Sequence, residues 1–427
     1  MAERARSSQE PGALRALHLL QYLLGDFHPR NFSIQLWDGT QWEPETGQFH
    51  RFTWRIHDPG WLRTLIGSAS EVSLGEAYVR GDFDIDGDIE AIFPLATYLI
   101  NREWTAKERL HVGSLLLTLP HGPSPIHGID LHGQPHSRQR DRQAVSYHYD
   151  VSNDFYKLWL DSNMVYSSAY FSAPNCSLEE AQVQKLDYIC RKLRLKAGER
   201  LLDIGCGWGG LLIHAAREYG LRASGITLST QQLEFARQRI EREGLSGQCD
   251  VRLLDYRDID DPGGFDKLVS VGMVEHVGEM KLPEYFSLAF QLLRPGGVFL
   301  VSGIGRAGNR PASERSTFTD AYVFPDGELV PVSTTLQAAE NAGFEVRDVE
   351  NLREHYALTV HHWLQRLDAH AEEARQIAGE LKYRIWRLYL AGSAYYFQSG
   401  KLNLYQTLLV KNENGKSGLP LTRADWY

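Results

Sequence analysis

From Arg200 onward the chain alternates short apolar runs with segments whose apolar residues recur every three or four positions. "RLLDI" leads to a helix from Gly210 and "RASGI" to a helix from Ser229; "DVRLL", "DKLVSV", a helix through "EYFSLAFQLL" and then "GVFLVS" continue the series. Parallel strands need a crossover connection, so this alternation predicts a parallel sheet covered by helices on both faces. Two further strands, "FEVRDVENL" and "NLYQTLLVKN", are separated by a long helical segment from about Leu358 to Tyr396. The fold class is therefore α/β: a doubly wound, seven-stranded, Rossmann-like sheet.

The first part of the chain follows a different pattern. In "FSIQLWDGTQWEP", "FTWRIHDP" and "SLGEAYVRGDFDIDGD" apolar and aromatic residues alternate with turn signals, which predicts a smaller α+β domain. "LRALHLLQYLL", Leu14 to Leu24, is amphipathic, and packing in that domain's core is favoured over a surface anchor on a membrane. Hydrophobic periodicity stops at His121, where Pro, Gly, His and Arg take over. The expected organisation is a domain over residues 1–120, a linker over 121–144 and a second domain over 145–427. His121, His127, His132 and His136 are irregularly spaced beside prolines, which suits a solvated linker better than a metal site. The loop from Gly305 to Pro331 follows the fifth strand and fits a mobile lid or a plain surface loop equally well.

Composition narrows the function. The 427 residues are 43% hydrophobic, enough for more than one core. A net charge of -9 without a run of Lys or Arg argues against a nucleic-acid partner. Cys176, Cys190, Cys206 and Cys249 lack CxxC spacing, which suits a reducing, cytoplasmic compartment and no zinc. No segment reaches the roughly 20 apolar residues of a membrane span, so any membrane contact is peripheral.

The turn in "LLDIGCGWGG" carries the candidate chemistry. Gly205, Gly207 and Gly209 let backbone N–H groups approach a ligand beyond the strand ends. A nicotinamide enzyme would place an acid at the end of the second strand, where this chain has "GITLS" with Thr227. Asp203, two residues before the first glycine, and Asp255 after the third strand fit S-adenosyl-L-methionine instead. The second domain is thus expected to be a class I S-adenosylmethionine-dependent methyltransferase.

Two further passages are "VSYHYDVSNDFYKLWLDSNMVYSSAYF", ahead of the sheet, and "SVGMVEHVGEMKLPEYF", after the fourth strand. With "LLDIGCGWGG", "GITLSTQQ" and "EHYALTVHHW" they closely resemble the cyclopropane-fatty-acyl-phospholipid synthase family, which includes the mycolic acid cyclopropane synthases. The resemblance runs from Val145 to the C-terminus, and the first domain looks like the lipid-handling domain of members that act on phospholipids. It implies methyl transfer to the cis double bond of an unsaturated phospholipid acyl chain through a carbocation, with a cyclopropane as the leading product. A methyl-branched or methylene chain, or methylation of a small molecule on the same fold, is the alternative. It also implies peripheral association with the inner face of the membrane; a homodimer stays open. By motif position the cofactor residues are Tyr166, Ser167, Asp203, Gly205, Gly207, Gly209, Thr227, Leu228, Gln232, Asp255 and Tyr256.

In the family a bicarbonate ion beside the transferred methyl serves as base, held by a Cys, a Glu, a His and a Tyr. Here Glu275 and Tyr356 occupy two of those positions, while Ser168 replaces the Cys and Ser302 the His. These four residues are the catalytic candidates. Serine offers a donor and an acceptor, but the imidazole that could carry a proton away is missing, which leaves bicarbonate with two of its four holders. His276, adjacent to Glu275, is read as structural.

Overall fold

Helix α1 (Pro11–Leu23) turns its apolar face inward, burying Ala13, Ala16, Leu19, Leu20 and Leu23 at helical spacing. The amphipathic N-terminal stretch is thus a core helix. The computed structural model describes residues 11–68, 70–116, 119–120, 126, 128, 131–149, 151–308 and 317–426. After α1 come β1 (Phe32–Gln35), β2 (Gln41–Trp42), β3 (Phe52–Ile56), α2 (Trp61–Ser68), α3 (Glu71–Arg80), β4 (Phe83–Gly87), α4 (Phe93–Asn101) and α5 (Ala106–Leu116). The stretch "SLGEAYVRGDFDIDGD" does not alternate throughout: it begins inside α3 and ends just after β4. Ser70 and Ser73 form a capping box at the start of α3, and Gly81 at φ 84° closes it.

The second half of the chain runs through α6 (Arg138–Tyr149), α7 (Asn153–Lys157), α8 (Leu178–Leu193), β5 (Arg200–Ile204), α9 (Gly210–Tyr219), β6 (Arg222–Thr227), α10 (Thr230–Arg242) and β7 (Cys249–Leu253). It continues with β8 (Phe265–Val271), α11 (Leu282–Leu292), β9 (Leu293–Arg306), α12 (Phe318–Tyr322), α13 (Val332–Asn341), β10 (Glu345–Asn351), α14 (Arg353–Ala369), α15 (Ala371–Gln398) and β11 (Leu402–Val410). The long helical segment expected from about Leu358 to Tyr396 is made of two helices, meeting at His370. The second is itself interrupted at Gly379, whose φ of 82° is open to a residue without Cβ.

The chain forms two compact units. One comprises Met1–Ile129, Arg315–Tyr322 and Glu380–Gly392; the other comprises Asp130–Glu314, Val323–Gly379 and Ser393–Tyr427. The first contains a four-stranded sheet in the order β2-β1-β3-β4. The second contains a seven-stranded sheet in the order β10-β11-β9-β8-β5-β6-β7, in which β11 runs antiparallel to both neighbours. Strand order reverses at β5, which pairs with β6 on one side and β8 on the other, and such a switch point opens a crevice at the carboxyl ends of the strands. Successive residues point to opposite faces: Leu201, Ala223 and Val298 pack toward α8, α9 and α10, while Leu202, Ile226 and Phe299 pack toward α11 and α13. Among the described residues no helix is long and apolar enough to cross a membrane.

Candidate functional site

A cavity opens in the second unit where β5, β6 and β7 end, and its wall includes Asp203, Gly205, Gly207, Thr227, Leu228, Gln232, Asp255 and Tyr256. The turn after β5 is built on backbone geometry: Gly205 and Gly207 have φ of 88° and 54°, in the left-handed region. The N–H groups of Gly205 and Cys206 both donate to the Ile226 carbonyl, which pins the turn to β6. A Cβ on Gly207 would meet nothing within 4 Å, so the cavity reaches the backbone there. Gly209 lies outside the wall. It precedes α9, and a Cβ on it would come 3.2 Å from that of Ala236 on α10, so its role is helix packing.

The side chains around this turn carry opposite charges. Asp203 is 3% exposed, and burial lifts its carboxyl to about 7 against the pull of Lys185. Lys185 lies in the same wall, and its Nζ donates to Ser167 Oγ at 2.8 Å. Thr227 donates through its hydroxyl to Gln232 Oε1 at 2.7 Å, while Ser229 caps α10. Asp255 is held by Arg257, whose Nε lies 2.8 Å from Oδ1 and whose Nη2 lies 2.6 Å from Oδ2. The same Nη2 donates to Asp141 on α6 at 2.8 Å. Burial raises the Asp255 carboxyl, but hydrogen bonds and charge from Arg257 outweigh it and the net shift is downward. Tyr256 is buried edge-on to Tyr285 at 5.3 Å, and burial pushes its phenol up to about 12.

Tyr166 and Ser167 complete the wall from a loop that α8 fixes, since Gln182 Nε2 donates to the carbonyls of Val165 and Ser167. The Tyr166 ring packs among Tyr156, Trp159 and Trp363, centroids 5.2 to 5.7 Å away. Motif reading overlooked Lys185. The available signal was a lysine in the stripe that also holds Gln182, Leu186 and Ile189, the inward face of α8.

The four catalytic candidates are buried or half-buried, and none belongs to the wall of this cavity. Ser168 and Glu275 each adjoin it in sequence, because Ser167 lines the wall on one side and Met273, His276 and Val277 line it on the other. Glu275 accepts the Ile304 N–H through Oε1 at 2.6 Å, while its buried Oε2 has no partner. Burial raises its carboxyl to about 7. Ser302 sits two residues before Ile304 on β9, opposite Gln406 on β11. Val274, next to Glu275, packs where a Cβ on Gly303 would point, so Ser302 faces the other side of the sheet. Ser168 turns its hydroxyl to the Ala169 carbonyl at 3.0 Å. The Ala169 N–H donates to Thr359 Oγ1 on α14, one turn from Tyr356. The Tyr356 ring stacks on Phe397 and meets Trp363 edge-on at 6.0 Å. His276 is half-buried in the cavity wall, and desolvation, helped by His136, lowers its imidazole to about 4, which keeps it neutral.

Within the linker histidines, His121 and His127 lie outside the described residues, as does the middle of the Gly305–Pro331 loop. His136 faces Glu328 at 3.5 Å.

An adenosine with a charged amino-acid tail fits the cavity: backbone accessible at Gly207, apolar and aromatic walls for the base, and acidic and basic side chains at the turn. Residues 136–407 match the family described as mycolic acid cyclopropane synthetase, and residues 19–102 match a domain of unknown function. A probable fatty acid methyltransferase of Pseudomonas putida is 42% identical over 98% of this chain and 99% of its own. A tuberculostearic acid methyltransferase of Mycobacterium tuberculosis is 33% identical over 83% of this chain and 82% of its own. Among solved structures, the mycolic acid cyclopropane synthase CmaA1 in complex with SAH and CTAB superposes with a TM-score of 0.60 at 33% identity, covering 63% of this chain and 97% of that one.

Proposed function

The chain belongs to the mycolic acid cyclopropane synthetase family and is an S-adenosylmethionine-dependent methyltransferase, and on that premise we propose that its substrate is the cis double bond of an unsaturated phospholipid acyl chain. The observation that carries the reading is Glu275: a buried carboxyl with one oxygen unpartnered, on a turn whose neighbours line the cofactor cavity. Bound S-adenosylmethionine supplies an electrophilic methyl. The alkene needs no activated nucleophile, since its π electrons form the new C–C bond and leave a carbocation on the adjacent carbon. A buried anion stabilises that charge, and a carboxyl raised to about 7 is poised to take a proton near neutral pH. Loss of that proton from the new methyl, with closure of the third C–C bond, gives a cyclopropane.

A second reading has a specific basis. Ser168 and Ser302 stand where the resemblance calls for a Cys and a His, and a relative bears the name of a tuberculostearic acid methyltransferase. Loss of a proton from the chain instead of the methyl would leave an open, methyl-branched alkene. In either case the chain would meet its lipid at a membrane surface, and the first unit, with residues 1–120 as its main part, would handle the lipid. Tyr166, Ser167, Asp203, Gly205, Gly207, Thr227, Leu228, Gln232, Asp255 and Tyr256 would hold the cofactor.

The test is incubation with S-adenosylmethionine and vesicles of cis-monounsaturated phospholipid, with and without bicarbonate, followed by mass spectrometry of the acyl chains. Chains one CH2 heavier are expected. Unchanged chains, with methylation of a soluble amine or hydroxyl compound, would overturn the lipid reading.

A further inference from the structure

Helix α8 carries a lysine in an unusual setting. Lys185 is only 3% exposed, it lines the cofactor cavity, and one of the three donors of its ammonium is spent on Ser167 Oγ. Two acids influence it, Asp161 and Asp203. Asp161 is already engaged, accepting the N–H groups of Asn163 and Val165 at 2.9 Å each. Asp203 lies in the same cavity wall, and among the described residues no side chain hydrogen-bonds to its carboxylate or pairs with it. Lys185 and Asp203 therefore feel each other's charge without joining in an ion pair.

Two opposite charges buried without a direct bond are costly to desolvate. The cost is offset when a ligand brings the complementary charges. The methionine part of the cofactor ends in an α-ammonium and an α-carboxylate on one carbon, a zwitterion of matching polarity. We propose that Lys185 binds the α-carboxylate of S-adenosylmethionine while Asp203 binds its α-ammonium, so that the pair reads the amino-acid end of the cofactor. Ser167 then orients the Lys185 ammonium, and Gln182, one turn earlier on the same helix face, holds the Ser167 backbone in place. The inference rests on the cofactor assignment and adds a residue outside the glycine turn to it. The competing account makes Lys185 a structural counter-charge for Asp161 and Asp203.

Calorimetry on the full chain separates the two accounts with three ligands: S-adenosylmethionine, its decarboxylated analogue, and methylthioadenosine, which lacks the amino-acid end. A charged hydrogen bond corresponds to about a ten- to hundredfold change in affinity. Wild-type protein is expected to prefer S-adenosylmethionine over the decarboxylated analogue by that factor. Lys185→Met should erase this preference while binding methylthioadenosine as wild type does, which also reports that the variant is folded. Asp203→Asn should weaken both amine-bearing ligands and spare methylthioadenosine. Equal weakening of all three ligands by Lys185→Met, or an undiminished preference, would overturn the proposal and leave the cofactor assignment standing. Failure of wild-type protein to bind any of the three would overturn both.

Discussion

The glycine-turn side of the cofactor cavity and the group of residues around Glu275 are built in different ways. The wall residues that follow β5, β6 and β7 each belong to a strand end, a turn or a helix start, while Tyr166, Ser167 and Lys185 join the wall from the loop before α8 and from α8 itself. Gly205 and Gly207 follow β5 directly, Thr227 ends β6 and bonds to Gln232 in the first turn of α10, and Asp255 follows β7. Around Glu275 the parts come from four distant segments. Ser168 lies in a loop held by Thr359 of α14, Glu275 in a short turn after β8, and Ser302 on β9 facing away from Glu275. The first arrangement is local and rests on backbone geometry. The second depends on burial and on long-range hydrogen bonds, so single substitutions should separate turnover from cofactor binding there.

The largest expected effect comes from Glu275→Gln. The amide keeps an acceptor for the Ile304 N–H but cannot accept a proton, so methyl transfer should fall by about a hundredfold or more. Affinity for S-adenosylmethionine, measured by calorimetry, should stay within about twofold, because Glu275 is not part of the cavity wall. A parallel loss of affinity would erase the distinction between the two groups of residues.

Next is a pH effect on stability. Burial raises the Glu275 carboxyl from 4.5 to about 7, so the folded state holds this proton more tightly than the unfolded chain. Its contribution is therefore present below pH 4.5 and is lost as pH rises through about 7. Denaturant titrations should find that Glu275→Gln gains on wild type by about 3 kcal/mol across this window. Taking the difference between the two proteins cancels Asp203, which burial also raises to about 7. A constant difference at all pH values would mean that Glu275 titrates normally.

The smallest effect is expected at Thr359→Val. This removes the acceptor of the buried Ala169 N–H and should lower stability by about 1–3 kcal/mol, read as a shift in the denaturant midpoint. The cofactor cavity should still bind S-adenosylmethionine as before, since Gln182 and Lys185 hold the wall residue Ser167 independently of Thr359.

This contrast also explains what could be read from sequence. The parallel sheet, the glycine turn and the residues after β6 and β7 were legible because each is a local pattern with one backbone solution. Gly209 matched the same pattern but packs against Ala236, since spacing alone does not tell which glycine faces a ligand. Lys185 was hidden because a lysine in an amphipathic helix is usually solvated, and only the tertiary packing brings it beside Ser167. The link from Thr359 to Ala169 spans 190 residues and leaves no trace in any local motif. The break of α15 at Gly379 went unread because a single glycine is tolerated inside a helical pattern.

The most direct test of the account uses S-adenosylmethionine with a fully deuterated methyl and vesicles of cis-monounsaturated phospholipid, reading deuterium in the acyl chain by mass spectrometry. If the double bond takes the methyl and Glu275 accepts a deuteron from it, the chain retains two deuteriums in a cyclopropane and Glu275→Gln suppresses that product. A chain that gains no deuterium, while the cofactor is consumed on another substrate, would contradict the account.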